Sequence, residues 1–218
     1  MTEKYYFIDM LCFETTATIV ALDDEKSSVI LDKTIFHVKG GGQLADSGTI
    51  NDAIVLDVIH REDGAVLHQV SREDLQKLSA NLNVTIKIDS VKRKYHSRLH
   101  SAGHVIAGVV EKLFPEIKAI SGNHIPGQSR IVFSGQLLLE KEEFLSEISK
   151  ELKLIIGLNK PVTVKKGEGN VRFIDIKDCN ESACGGTHVS ELSEIGEITI
   201  RKVSIKPDQV SLSYEINE

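Results

Sequence analysis

Cysteine is scarce here, three in 218 residues, and an odd number in a chain this long argues against a disulfide framework and for a reducing compartment. No apolar run approaches the length of a membrane span, and the first residues lack the basic and apolar regions of a signal peptide. The expected location is therefore the cytoplasm, with no membrane partner. An excess of positive charge is missing as well. The formal net charge is -6, which argues against indiscriminate binding to nucleic acid, because that mode relies on a strong positive field. No internal repeat and no low-complexity segment is visible. The composition is that of an ordinary soluble protein, 41% hydrophobic and 27% charged, and the length suffices for one large core or two smaller ones.

The few metal-binding side chains fall in a pattern. His100 and His104 lie at i and i+4, so a helix through Arg98–His104 stacks them on one face within reach of a single ion. Cys184 and His188 repeat the spacing across a Gly185-Gly186 turn. Either pair alone is a common coincidence. Together they supply the four N and S ligands that zinc takes in a tetrahedral site, one ion per chain. Cys179 is close enough to Cys184 to be a rival ligand, whereas Cys12 sits in an apolar stretch and reads as a small core residue.

Read in order, residues 5 to 88 are β-rich. Short runs such as Tyr6-Phe7-Ile8, Ala17 to Ala21, Ser28 to Leu31 and Ala53 to Ile59 are separated by turn residues, a pattern that suggests a small barrel. Glu62-Asp63-Gly64 signals a hairpin, and Ser71 with Asp74 a capped helical turn. Gly40-Gly41-Gly42-Gln43 reads either as a flexible turn or as a place where a ligand or a second backbone comes very close to Gly41 and Gly42. The Gln43 amide both donates and accepts, which suits it to orient a carbonyl, a ribose hydroxyl or a water.

From Asp89 or Ser90 a helix runs towards Pro115, with Val91, Tyr95, Leu99, Ala102, Ile106, Val109, Val110 and Leu113 as its apolar stripe. Gly103 and Gly108 within it point to close packing. Ser121 to Gly127 reads as a turn-rich connection, Glu140 to Leu158 as a second helix, and 161–164, 171–174, 197–205 and 210–216 as strands. The expectation is an α+β protein: a small N-terminal β-barrel over 1–88 followed by an α+β metal-binding domain over 89–218. Lys92, Arg93, Lys94 and Arg98 cluster beside the histidines. Such a run is usually a solvated helix face, but next to a metal site it suggests a phosphate-bearing substrate.

His-Ser-Ala-Gly-His at 100–104, Cys-Gly-Gly-Thr-His at 184–188, Glu-Ile-Gly at 194–196 and Gly-Gly-Gly-Gln with Asp46 resemble the AlaX family, free-standing relatives of the editing domain of alanyl-tRNA synthetase. The resemblance spans residues 35 to about 205. It implies an α+β catalytic domain carrying the metal, preceded by a β-barrel with the glycine motif. It also implies hydrolysis of the ester that joins serine, and in some members glycine, to the 3′ end of alanine tRNA. By position it makes His100, His104, Cys184 and His188 the zinc ligands, sets Gln43 near the acceptor end, and gives Ser121 the hydroxyl associated with recognising serine. Ser121 stands where threonine is more usual, and Phe36-His37-Val38-Lys39 lacks the proline of the common lead-in.

An aminoacyl ester is already activated, so the protein need only place water, hold the substrate and stabilise the oxyanion. Gln43 and the Gly185 and Gly186 backbone N–H groups are the candidates for that work; Ser121, Gly41, Gly42, Lys92, Arg93 and Arg98 are those for holding the aminoacylated tRNA end. Four protein ligands close a zinc site, which is the structural arrangement, whereas catalytic zinc keeps a position open. Rival readings are a threonyl-type editing domain and a non-catalytic RNA-binding module with structural zinc. The sequence does not fix the oligomeric state.

Overall fold

The computed structural model describes residues 1–167 and 171–217. Among them the chain is mixed α and β and mostly sheet, with three α-helices. None is long and apolar enough to cross a membrane. The chain divides into two compact units, Met1–Gly40 with Leu44–Lys94, and Gly41–Gln43 with Tyr95–Glu218.

The first unit contains β1 (Glu3–Lys4), β2 (Glu14–Asp23), β3 (Ser28–Leu31), β4 (Lys33–Thr34), β5 (Gly48–Ile50), β6 (Ala53–Val55), β7 (Asp57–His60), β8 (Val66–Gln69), the single turn α1 (Arg72–Leu75) and β9 (Asn83–Ile88). Seven strands form one sheet in the order β6-β5-β9-β2-β3-β8-β7. Strand β2 belongs to both halves: Glu14 to Thr18 pair with β9, and beyond a bulge after Ile19 the strand pairs with β3. Such a bulge bends a strand so that it can turn a corner between two sheet halves. The end strands β6 and β7 are separated in the chain by Leu56 alone, so at 3.8 Å per residue the two edges come within about 8 Å of each other. No ladder joins them among the described residues. The sheet is therefore rolled but not the closed barrel that strand spacing suggested, because the three residues of β6 are spent on β5 and Leu56 already donates to Gln69 O.

Ile19, Val29, Leu31, Ile35, Phe36, Ile50, Val66 and Ile86 fill the interior of this sheet. Tyr5–Phe7 form a 3-10 turn and not the strand expected there; three bulky side chains in a row have no alternation that a half-buried strand can use. The capped turn is as expected, with Asp74 N donating to Ser71 Oγ at 3.0 Å.

Helix α2 (Ser90–Leu113) starts in the first unit and continues into the second. Asp89 caps it, accepting the N–H groups of Val91 and Lys92 on Oδ1. The stripe from Leu99 to Val110 is buried, but Val91 is 77% exposed, in the first turn. There follow β10 (Lys118–Asn123), β11 (Arg130–Ser134), α3 (Lys141–Gly157), β12 (Val162–Lys166), β13 (Arg172–Ile176), β14 (Asn180–Ala183), β15 (Ile198–Lys206) and β16 (Gln209–Ile216). Four of these strands form a sheet in the order β10-β11-β16-β15, and β12-β13-β14 form another. Leu99, Ile106 and Val110 of α2, Phe144, Ile148 and Leu152 of α3, and Phe133, Val210 and Leu212 of the larger sheet share one core. Each such side chain contributes about 1.5–3 kcal/mol by leaving water. Residues 121–123 are strand, not turn, and are paired with β11. An edge strand exposed on both faces has no apolar alternation to betray it.

Candidate metal centre

Helix α2 carries His100 and His104 one turn apart, with their rings stacked at 5.1 Å between centroids and 10° between planes. The segment after β14 brings Cys184 and His188 to the same place. Cys184 Sγ lies 3.4 Å from His100 Nε2 and 3.3 Å from His188 Nε2, and one ligand atom from each of the four residues lies within 4.8 Å of the others. With Zn–N and Zn–S bonds of about 2.0 and 2.3 Å, the N···S edge of a tetrahedron is about 3.5 Å. The edges at Cys184 thus already have the right size. Among the described residues no other group of three or more His, Cys, Asp or Glu converges this way. Cys179, the rival ligand, lies apart: its Sγ is 3.8 Å from Val105 O, and it packs where a Gly108 side chain would be.

Each imidazole is held by Nδ1, and this decides what Nε2 can do. Gln43 Nε2 donates to Thr187 Oγ1 at 2.8 Å, and Gln43 Oε1 accepts the Thr187 N–H at 3.0 Å, which fixes the amide's orientation. His100 Nδ1 is 2.7 Å from that same oxygen, so it must carry the proton and Nε2 the lone pair. Ser182 Oγ donates to Asn180 Oδ1 and meets His104 Nδ1 at 3.0 Å. Ser101 Oγ accepts the Val189 N–H and lies 3.3 Å from His188 Nδ1. His104 Nε2 is buried without a hydrogen-bond partner. A buried acceptor left unpaired is costly, and a cation among the four ligand atoms would satisfy it. The donor set is three imidazoles and one thiol, each ring anchored through its other nitrogen, the arrangement found around zinc.

The electrostatics agree. Burial pushes the His104 imidazole down to about 4, against a smaller opposing effect of Asn180, so the ring is neutral at neutral pH, and with Nδ1–H donating to Ser182 Oγ the lone pair lies on Nε2. Burial pushes the Cys184 thiol up, while the Gly186 N–H and Arg172 pull it down. A cation among these ligands would draw that proton off. Arg172, 6% exposed, donates to Gly186 O and Cys184 O and so clamps the Cys-Gly-Gly turn. Gly186 needs its bare Cα, since a Cβ there would overlap the His100 ring.

His104 also lines a cleft of about 380 Å³, together with Gly103, Ala107, Ser121, Gly122, His124 and Asn180. His124 stacks on His100 at 4.3 Å, and its Nδ1 lies 2.6 Å from Tyr214 Oη, which donates to Leu99 O. Burial, reinforced by the neighbouring His104, pushes the His124 imidazole down to about 3. A Cβ on Gly103 would overlap His124, which explains the glycine in α2.

The structure thus brings His100, His104, Cys184, His188 and Gln43 together and puts Ser121 on the cleft wall. Gly42 crosses β10, its carbonyl accepting the His124 N–H at 2.8 Å, and Gly41 lies over His100. Gly186 N–H is directed at Cys184 Sγ at 3.3 Å, leaving Gly185 as the exposed residue of the turn. The basic run is dispersed. Arg93 is 1% exposed, its guanidinium bonded to Asp46 and to the carbonyls of Met10 and Ile35. Arg98 holds Ile195 O and Asn217, and only Lys92 and Lys94 face solvent. Sequence reasoning gave no role to Arg172, Thr187 or His124. Of these, Arg172 left a signal, a cation on the buried parity of an alternating strand.

The family described as "Threonyl and Alanyl tRNA synthetase second additional domain" matches residues 171–211. The chain is 33% identical to "Alanyl-tRNA editing protein AlaX-M" of Methanosarcina barkeri, across 94% of this chain and 95% of that protein. It is also 33% identical to the protein of the same name from Pyrococcus horikoshii, across 91% and 89%. "Alanine--tRNA ligase" of Methanococcus vannielii is 29% identical over 96% of this chain, which spans 25% of that longer protein.

Proposed function

The chain belongs to the AlaX family of alanyl-tRNA editing proteins, and on that premise we propose that it is a cytoplasmic deacylase that clears serine or glycine from mischarged alanine tRNA with one bound zinc ion. The observation that carries the reading is that His104 belongs both to the four-ligand cluster and to the wall of the cleft. His100, His104, Cys184 and His188 hold the metal. When bound, it supplies positive charge and Lewis acidity beside the ester.

The remaining work falls to the chain itself. Gly103, Ala107, Gly122 and Ala183 leave the cleft open beside His104, with room for the esterified amino acid. Ser121 Oγ offers a hydrogen bond to the hydroxyl of serine, which alanine lacks. Gln43, 2% exposed, does not reach water but fixes the proton on His100 Nδ1 and the direction of Nε2, so it is a positioning residue. Arg172 holds the turn that carries the exposed Gly185, whose N–H is the donor we assign to the oxygen on which charge develops.

Release of serine, glycine and alanine from alanine tRNA, measured side by side, tests this. Serine should leave fastest and alanine slower by on the order of 10² or more, the discrimination a paired hydroxyl allows. Equal release of serine and alanine would remove Ser121 from the account, and release of neither would end the reading.

A further inference from the structure

The outer face of the β10-β11-β16-β15 sheet has a composition unlike the rest of this acidic chain. Register places Arg130, Ser213 and Lys202 in one row across three strands, Val132, Ser211 and Ser204 in the next, and Ser134, Gln209 and Lys206 in the third. Their neighbours in sequence, among them Phe133, Val210, Leu212 and Val203, point into the core, so these rows look outward. Arg130, Lys202 and Lys206 are exposed, and none of them is in an ion pair among the described residues. Glu215, one row further on, is neutralised by Arg201 at 3.2 Å.

Two shallow concavities of about 560 and 440 Å³ open on this face, both bordered by Arg130 and Lys202, and no carboxylate lines either among the described residues. Ile120 and Ser121 border both the second concavity and the cleft at the metal centre. Strand spacing puts Arg130 about 10 Å from Lys202, and Lys206 about 13 Å further along β15. That is an extended cationic track rimmed by hydroxyls, in a protein whose net charge is -6. Tyr214 borders the first concavity but is only 2% exposed, and hydroxyls with guanidinium or ammonium groups suit phosphodiester oxygens and not bases.

We propose that this face binds the sugar-phosphate backbone of the RNA acceptor end, with Arg130, Lys202 and Lys206 on its phosphates, and so feeds the esterified terminus past Ser121 into the cleft. The proposal rests on the deacylase reading for the identity of the RNA, but its test does not need hydrolysis. Uncharged alanine tRNA is titrated against the full chain over a range of salt concentrations. The triple variant Arg130→Ala, Lys202→Ala, Lys206→Ala should bind at least about tenfold more weakly and lose about two to three from the slope of log affinity against log salt. Its metal content and melting should match the parent. The charge-keeping triple Arg130→Lys, Lys202→Arg, Lys206→Arg should bind almost as the parent does, which separates charge from folding. Unchanged affinity and slope in the alanine triple would overturn the assignment, as would a loss found instead in Lys92→Ala with Lys94→Ala. A chain that binds uncharged tRNA through this face yet releases no serine would keep the surface and reject the deacylase.

Discussion

Three imidazoles in the cluster turn the same atom inward, and they do so because three different side chains take the other one. Ser182 and Ser101 hold His104 and His188, while Gln43 holds His100 and is itself pinned by Thr187, whose Oγ1 is 2.7 Å from Ser97 Oγ. Outer partners of this kind usually change metal affinity by about 10–100-fold when removed. Gln43→Ala should therefore weaken zinc binding in a chelator competition by about that factor, and Gln43→Glu, which keeps the acceptor oxygen, should recover part of it. Unaltered affinity in Gln43→Ala would show that His100 needs no holding. The convergence of the four cluster residues was legible from paired spacings. Their partners were not, because a serine or threonine that anchors a ring looks in sequence like any other hydroxyl.

Long amphipathic elements were plain in the sequence, and short polar ones were hidden. Helix α3 spans Lys141–Gly157 with Phe144, Ile148, Leu152 and Ile155 inward, one residue short of the expected bounds at each end. Strand β10, by contrast, reads Lys-Ala-Ile-Ser-Gly-Asn, and β14 reads Asn-Glu-Ser-Ala. Both sit at sheet edges, where pairing comes from one neighbour's backbone and leaves no mark in hydrophobic periodicity. Yet β10 contributes Ser121 to the cleft and β14 contributes the Asn180 and Ser182 that orient His104. In this fold the least patterned strands carry much of the site. The rolled sheet of the first unit was foreseeable from strand spacing, whereas its unpaired seam depends on a crossing at Leu56 that no local pattern encodes.

Across the whole molecule, stability should depend on pH through histidines that fold as neutral groups. His68 of the first unit is 0% exposed, bonded to Thr34 Oγ1 at 2.7 Å and donating to Val29 O at 3.1 Å. Burial outweighs the Val29 hydrogen bond and pushes it from 6.5 down to about 4. Between those values the unfolded chain binds a proton that the folded chain refuses, so stability rises with pH across this window and is lost as pH falls through it. The linked free energy is about 3 kcal/mol at most. His68→Gln should flatten the dependence of stability on pH between 4 and 6.5 relative to the parent, whatever it does to stability at neutral pH. Identical slopes for the two proteins would mean that the imidazole is not excluded from its proton by the fold.

Deacylation should depend on a metal held by His100, His104, Cys184 and His188. This dependence is tested most directly by the rate of serine release from mischarged alanine tRNA before chelation, after chelation and after zinc is returned. The rate should fall to the uncatalysed level on chelation and recover when one equivalent of zinc is restored. A metal-free chain that still releases serine at the full rate would contradict it.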